Sequence, residues 1–209
     1  MRSAHYLLRK PYDMRSNLEI LSRSWDALQS KWLLAIGLTL LHGVVSSVVG
    51  GAGMGVATLA LSGALSFGFN RTMVQLYRGE TPVVETYFDG FRHYLPTLVT
   101  FLLTAAIVLV GLVLLVIPGI VAAIGLSQAF YVLQDQPELG AEGAIRESWR
   151  LTWTNGNMWK VLLMGVLTLF LALGGLLALG VGLFVALPLV SVMGAGLYDE
   201  IKAADAYAL

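Results

Sequence analysis

The sequence predicts an all-α polytopic membrane protein: six transmembrane helices arranged as three hairpins, with an amphipathic interfacial helix before each hairpin. Three observations predict it. Hydrophobic residues make up 57% of the 209 and charged residues only 12%, with a mean hydropathy of +0.76, well outside the range of a soluble domain of this size. Three tracts, residues 32–70, 93–134 and 161–198, hold no Asp, Glu, Lys or Arg and run to 39, 42 and 38 residues. One helical crossing needs about 20 residues, so each tract has the length of two. The middle of each tract then carries turn residues: GGAGMG over 50–55, IPG over 117–119 and GGLLALGVG over 174–182.

The elements follow in order within a single membrane domain, 1–209. Residues 1–31 are a cytoplasmic N-terminal segment ending in an interfacial helix. Ser16 and Glu19 supply a capping box for it, and Leu18, Leu21, Trp25, Leu28 and Trp32 recur at three- and four-residue steps along one face. The first ten residues, MRSAHYLLRK, have no hydrophobic stretch of signal-peptide length, so insertion relies on internal segments. Hairpin 1 spans 32–78 and turns at Gly51 and Gly53.

The second interfacial helix, 79–94, starts behind Thr81 and Pro82 and sets Val84, Phe88 and Phe91 on one face. Hairpin 2, 95–134, turns at Pro118 and Gly119, because proline cannot donate the helical hydrogen bond and glycine admits backbone angles closed to other residues. One kinked helix through this tract would be about 60 Å long, too long for a bilayer. The third interfacial helix, in 135–158, aligns Ile145, Trp149 and Trp153. Hairpin 3, 159–198, begins at Trp159, turns at Gly174 and Gly175, and leaves a cytoplasmic tail at 199–209.

All 13 Lys and Arg lie in the blocks between tracts and none in a turn, so the positive-inside rule places the N-terminus, both connecting blocks and the C-terminus in the cytoplasm. A threefold repeat is visible in the same map. The hairpins open at Trp32, Tyr94 and Trp159, offset by 62 and 65 residues, and Asn70, Ser127 and Ser191 precede Tyr77, Gln134 and Tyr198 by seven.

Several function classes are excluded by composition. The 13 basic and 13 acidic side chains cancel and form no basic run suited to a phosphate backbone, so no nucleic-acid partner is expected. There is no Cys, and the three histidines, His5, His42 and His93, form no HExxH or comparable cluster; neither a metal nor a cofactor is expected. No GxSxG, phosphate loop or intramembrane carboxylate is present, so no enzyme is expected.

The intramembrane polar candidates are His42, Ser46, Ser47, Arg71, Ser127 and Gln128. His42, with Thr39, Ser46 and Ser47 a turn away, is either a switchable group at bilayer depth or a neutral imidazole bonded to a neighbouring helix. The lack of a carboxylate in any crossing favours the second. Arg71, near the cytoplasmic end of its crossing, is placed to snorkel. Leu21, Trp25, Trp32, Phe88, Phe91, Trp149, Trp153 and Trp159 make up the interfacial faces, either membrane anchors or docking surfaces for a partner.

Four stretches in order, SGALSFGFNRTMVQLYRGE, IPGIVAAIGLSQAFYVLQDQPELGAEGAIRESW, GNMWKVLL and LPLVSVMGAGLYDE, resemble the bacterial membrane-protein family catalogued as domain of unknown function 975. The resemblance runs from about Leu18 to Lys202 and is most specific between Ile117 and Trp149. It implies a six-crossing protein of the bacterial inner membrane, and brings no activity, ligand or site residue with it. The function expected is that of an inner-membrane scaffold or accessory subunit, packing against lipids and against other membrane subunits or copies of itself. The alternative is a small transporter or channel with a polar path near His42.

Overall fold

The computed structural model describes residues 14–52, 55–178 and 180–208, and among them the chain is all-helical. His5 and Gly53 lie outside the described residues. The helices are α1 (Asn17–Leu28), α2 (Trp32–Ala52), α3 (Val56–Tyr77), α4 (Val84–Tyr87), α5 (Tyr94–Leu114), α6 (Val116–Leu126), α7 (Ala129–Asp135), α8 (Gly140–Trp153), α9 (Asn157–Leu177) and α10 (Leu183–Ala208). Consecutive long helices pack side by side, α2 on α3, α5 on α6 and α9 on α10.

Five helices are long and apolar enough to cross a membrane: Trp32–Gly51, Tyr94–Leu114, Val116–Asp135 (α6 continued by α7), Asn157–Leu177 and Leu183–Tyr207. The composition of a membrane protein is thus matched by its helices. The count differs from six because α3, although 22 residues long, carries Asn70, Arg71, Thr72 and Gln75 within its apolar sequence. Its position explains how this is tolerated. α3 is the central helix, packed by α2, α5, α7 and α10, and Ala64, Leu65, Phe67, Met73, Leu76 and Tyr77 on it are all buried. Polar side chains on such a helix can be met by protein in place of lipid, as Thr72 is by the Phe69 carbonyl and Arg71 by Asp89.

The predicted turn residues are displaced. Between α5 and α6 the chain is extended only at Leu115 (φ −162°, ψ 145°), so Pro118 is the third residue of α6 and Gly119 the fourth. A proline in the first helical turn sacrifices no hydrogen bond, since those N–H groups have no partner in the helix anyway. Gly119 serves packing: a Cβ on the facing Gly111 would lie 2.9 Å from the Gly119 Cα. Gly174 and Gly175 fall in the last turn of α9 and Gly51 in the last turn of α2. The left-handed backbone at these two breaks falls instead on Gly55 (φ 78°) and Gly180 (φ 76°), a conformation that glycine adopts without steric cost.

The interfacial helices differ in outcome. α1 begins with the capping box the sequence predicts: Glu19 N donates to Ser16 Oγ at 3.2 Å, and Ser16 N donates to Glu19 Oε2 at 2.6 Å. Its buried stripe, however, is Ile20, Ser24 and Leu28, while Leu18 and Trp25 of the predicted face are exposed. Both faces of α1 carry apolar residues, and the one against protein also buries Ser24, whose hydroxyl donates to the Ile20 carbonyl at 2.8 Å.

The expected helix over 79–94 is reduced to the four residues of α4 and a 3-10 turn at Asp89–Phe91. This segment is pressed into the middle of α3 instead of lying apart from it. A Cβ on Gly68 would lie 1.7 Å from the Tyr87 carbonyl oxygen, and one on Gly90 would lie 2.0 Å from the Ala64 carbonyl oxygen. Ala64 and Gly68 are 13 and 9 residues before the end of α3 at Tyr77, about 20 and 14 Å along its axis.

The glycine seats generate a prediction. Gly68→Ala forces backbone apart at a fully packed contact and lowers stability by about 1–3 kcal/mol, read as a fall in thermal unfolding temperature in detergent. Gly37→Ala, where a Cβ meets nothing within 4 Å, leaves that temperature unchanged or slightly raised.

Candidate functional site

Two polar centres and a set of aromatic faces emerge. The first centre forms around His42. Its Nδ1 lies 3.0 Å from the Tyr87 hydroxyl, and its ring stacks on Phe69 with centroids 4.3 Å apart. Tyr87 is fully buried, and burial pushes its hydroxyl up to about 12, so it stays a neutral phenol. Of the polar neighbours predicted for His42, none joins it. Thr39 Oγ1 donates to the Ala35 carbonyl at 2.8 Å, and Ser46 and Ser47 are exposed. The partner came from α4, nine residues past a turn, which helical periodicity within one tract does not reveal.

Arg71 is paired as well. Its Nε lies 3.5 Å from Asp89 Oδ2, so a carboxylate of the 3-10 turn meets it. Ser127 and Gln128 sit at the bend between α6 and α7. The Ser127 hydroxyl donates to the Ile124 carbonyl at 2.8 Å and accepts from Gln128 Nε2 at 2.8 Å. Ser148 of α8 closes this node, accepting from Gln128 N at 3.2 Å and donating to the Gly125 carbonyl at 2.8 Å.

The second centre is ionic and was not anticipated. Arg78, just past α3, donates from Nε and Nη2 to the two carboxylate oxygens of Asp199 at 3.0 and 2.7 Å, and Nη2 reaches Asp135 at 3.4 Å. Lys202 Nζ donates to the same Asp135 at 2.6 Å. The bidentate Asp199 contact holds the Arg78 guanidinium above its usual range. Nearby, Arg15 pairs with the buried Glu200 and so fastens α1 to α10. Arg150 bridges Glu147 and Asp205 at 2.6 and 2.7 Å, linking α8 to α10.

A signal for this junction was present in the sequence. Tyr77, Gln134 and Tyr198 are the aligned exit residues of the threefold repeat, and Arg78, Asp135 and Asp199 are the residues immediately after them. One more step along the alignment gives the ionic triad.

The aromatic faces are open. Trp25, Phe88, Phe91, Trp149, Trp153 and Trp159 are exposed, whereas Leu21 and Trp32 are half-buried. Trp149 and Trp153 lie with ring centroids 5.5 Å apart and cover Gly125, where a Cβ would meet the Trp149 ring at 2.5 Å. Trp32 stands edge-on to Trp25 at 5.1 Å.

Between α2 and α10 runs a groove of about 480 Å³, lined by Gly43, Val44, Ser47, Phe184, Leu187 and Pro188 among others. Among the described residues no group of three or more His, Asp or Glu is placed to hold a metal. In comparison with known proteins, no family model, no curated protein and no solved structure matches the chain.

Two outcomes test the charged end. Asp135→Asn removes the negative charge shared by Arg78 and Lys202, both partly exposed, and costs about 1 kcal/mol, an effect that shrinks in high salt as the screening length shortens. Glu19 is held below the usual carboxylate range first by its bond from the Ser16 backbone N–H. A carboxylate depressed in the folded state contributes stability above its unfolded pKa and loses it as pH falls through the folded one. Glu19→Gln therefore flattens the decline of the unfolding temperature on acidification below the ordinary carboxylate range, and leaves the slope near neutrality unchanged.

Proposed function

We propose that the chain is a bacterial inner-membrane scaffold or accessory subunit that packs against other membrane subunits or against copies of itself. In this reading α3 counts as a sixth crossing, the long helices form three hairpins, and both termini face the cytoplasm, where all the basic residues lie. The resemblance to the family of domain of unknown function 975 supports that placement.

The observation that carries the proposal is the contrast between used and unused glycines. Gly63, Gly68, Gly90, Gly111, Gly119, Gly175, Gly182 and Gly196 are all closed over by neighbouring helices or loops. On α2, Gly37, Gly43, Gly50 and Gly51 have no atom within 4 Å of a Cβ position, and Gly43 and Ser47 floor the groove against α10. In lipid, helices associate through close packing of small residues in place of hydrophobic drive. A small-residue surface left open after the chain has packed its own helices suits the helix of another molecule.

The second reading, a small transporter or channel using His42, is weakened by the same geometry. His42 is engaged by Tyr87 and Phe69, and no carboxylate lines the pocket beside it, where transport sites usually carry charge.

The absence of Cys makes the test direct. Ser47→Cys in the native membrane is expected to give a defined cross-linked species, to itself or to one other subunit. Adding Gly43→Leu should abolish that species while the unfolding temperature holds. His42→Ala should lower the unfolding temperature by several degrees and leave proton flux in vesicles unchanged. Flux lost with stability retained would reverse the assignment in favour of transport.

A further inference from the structure

We propose that the cavity beside His42, between α3, α5 and α7, binds an uncharged lipophile that presents a carbonyl or hydroxyl oxygen. The cavity measures about 410 Å³, within the range of about 300–1,000 Å³ typical of small-ligand sites. Its polar lining is His42, Ser66, Asn70 and Thr104, contributed by three helices, and its apolar lining includes Phe69, Phe101, Ala105 and Phe130. A few polar groups converging in a mostly apolar hollow is the pattern by which such sites orient a ligand.

Three of the four polar groups, Ser66, Asn70 and Thr104, are idle among the described residues, and His42 is engaged through one ring nitrogen only. The Thr104 hydroxyl is buried and makes no hydrogen bond, and the same holds for Thr100 one turn earlier. Elsewhere in this protein helical hydroxyls satisfy themselves: Thr39, Ser62 and Ser191 each donate to the carbonyl four residues back, at 2.6–2.8 Å. Asn70, with two donors and an acceptor, makes no hydrogen bond to the described residues, nor does Ser66. His42 uses Nδ1 on Tyr87, so Nε2 remains available whichever nitrogen carries the proton. An amide and hydroxyls in an apolar setting are costly until something meets them.

Charge sets the ligand class. No Asp, Glu, Lys or Arg lines the cavity, so an ion entering it would find no counter-charge. A neutral molecule with hydrogen-bonding oxygens and a hydrocarbon or ring portion matches both halves of the lining. Its oxygens meet Asn70, Thr104 and His42 Nε2, while the remainder lies against Phe101, Ala105 and Phe130. The glyceride ester region of a lipid and a lipid-soluble quinone share this chemistry. The site is separate from the α2–α10 groove, so loss of partner binding on Gly43→Leu and loss of ligand binding here are independent results.

The test uses the full chain in dodecyl maltoside with three probes: dioctanoylglycerol, decylubiquinone and dioctanoyl phosphatidic acid. At least one of the two neutral probes is expected to raise the unfolding temperature saturably and to be retained one-to-one in native mass spectrometry. Stabilisation by the glyceride alone identifies the bilayer as the source, and by the quinone alone a flat dicarbonyl ring. Ala105→Phe, which fills the hollow, should abolish the shift, and Asn70→Leu should weaken binding by roughly tenfold, equivalent to one lost hydrogen bond. If Ala105→Phe does not fold, Ala105→Leu serves the same purpose. The proposal is overturned if neither neutral probe binds saturably, if binding survives in both the filled and the Asn70→Leu variants, or if the phosphatidic acid binds as well as the neutral probes.

Discussion

The arrangement depends on how closely the chain between α3 and α5 is seated on α3. At Gly68 and Gly90 the backbones approach so nearly that no side chain fits between them, and close-packed interiors have little slack to absorb a displacement. That seat fixes Tyr87 in the interior. Tyr87 in turn fixes His42, and His42 with Phe69 sets the spacing of α2 from α3. The cavity lined by Ser66, Asn70 and Thr104 is what the remaining space around that spacing leaves open.

At the end of the bundle that carries its charges, a different force takes over. There α3, α7 and α10 are joined by Arg78, Asp135, Asp199 and Lys202, and α1 and α8 are added through Glu200 and Asp205. Single exposed ion pairs contribute little, but shared acceptors and bidentate contacts form a network whose members hold one another in place. The molecule is therefore closed by glycine packing at mid-height and by ions at one end, while the outer side of α2 stays open.

The helical class, the start of α1 at its capping box and the position of the long apolar helices were legible from composition, charge spacing and local caps. Those features depend on nearest neighbours or on long averages. What escaped depended on contacts between distant residues. Pro118 reads as a turn because its chemistry forbids a helix interior, yet the first turn of a helix satisfies the same prohibition. α3 read as an ordinary crossing, and only its contacts show what meets its polar residues, Asp89 for Arg71 and the Phe69 carbonyl for Thr72. On α1, the predicted apolar face shares Leu28 with the buried stripe but also holds the exposed Leu18 and Trp25, because apolar residues lie on both sides of this helix and spacing alone does not say which side meets protein. At the candidate sites, His42 stood out as an isolated titratable group, while its partner Tyr87 lay 45 residues away.

The link between Arg15 and Glu200 spans 185 residues, and it bears on the order of assembly. Chains emerge from the ribosome N-terminus first, so α1 is complete long before α10, its principal partner, exists. Through most of synthesis the Ile20–Ser24–Leu28 stripe has nothing of its own chain to cover it beyond α3. The other face, Leu18 and Trp25, suits a membrane surface. α1 is thus made long before the helix it is seated on, and its two apolar faces give it somewhere to wait and somewhere to finish.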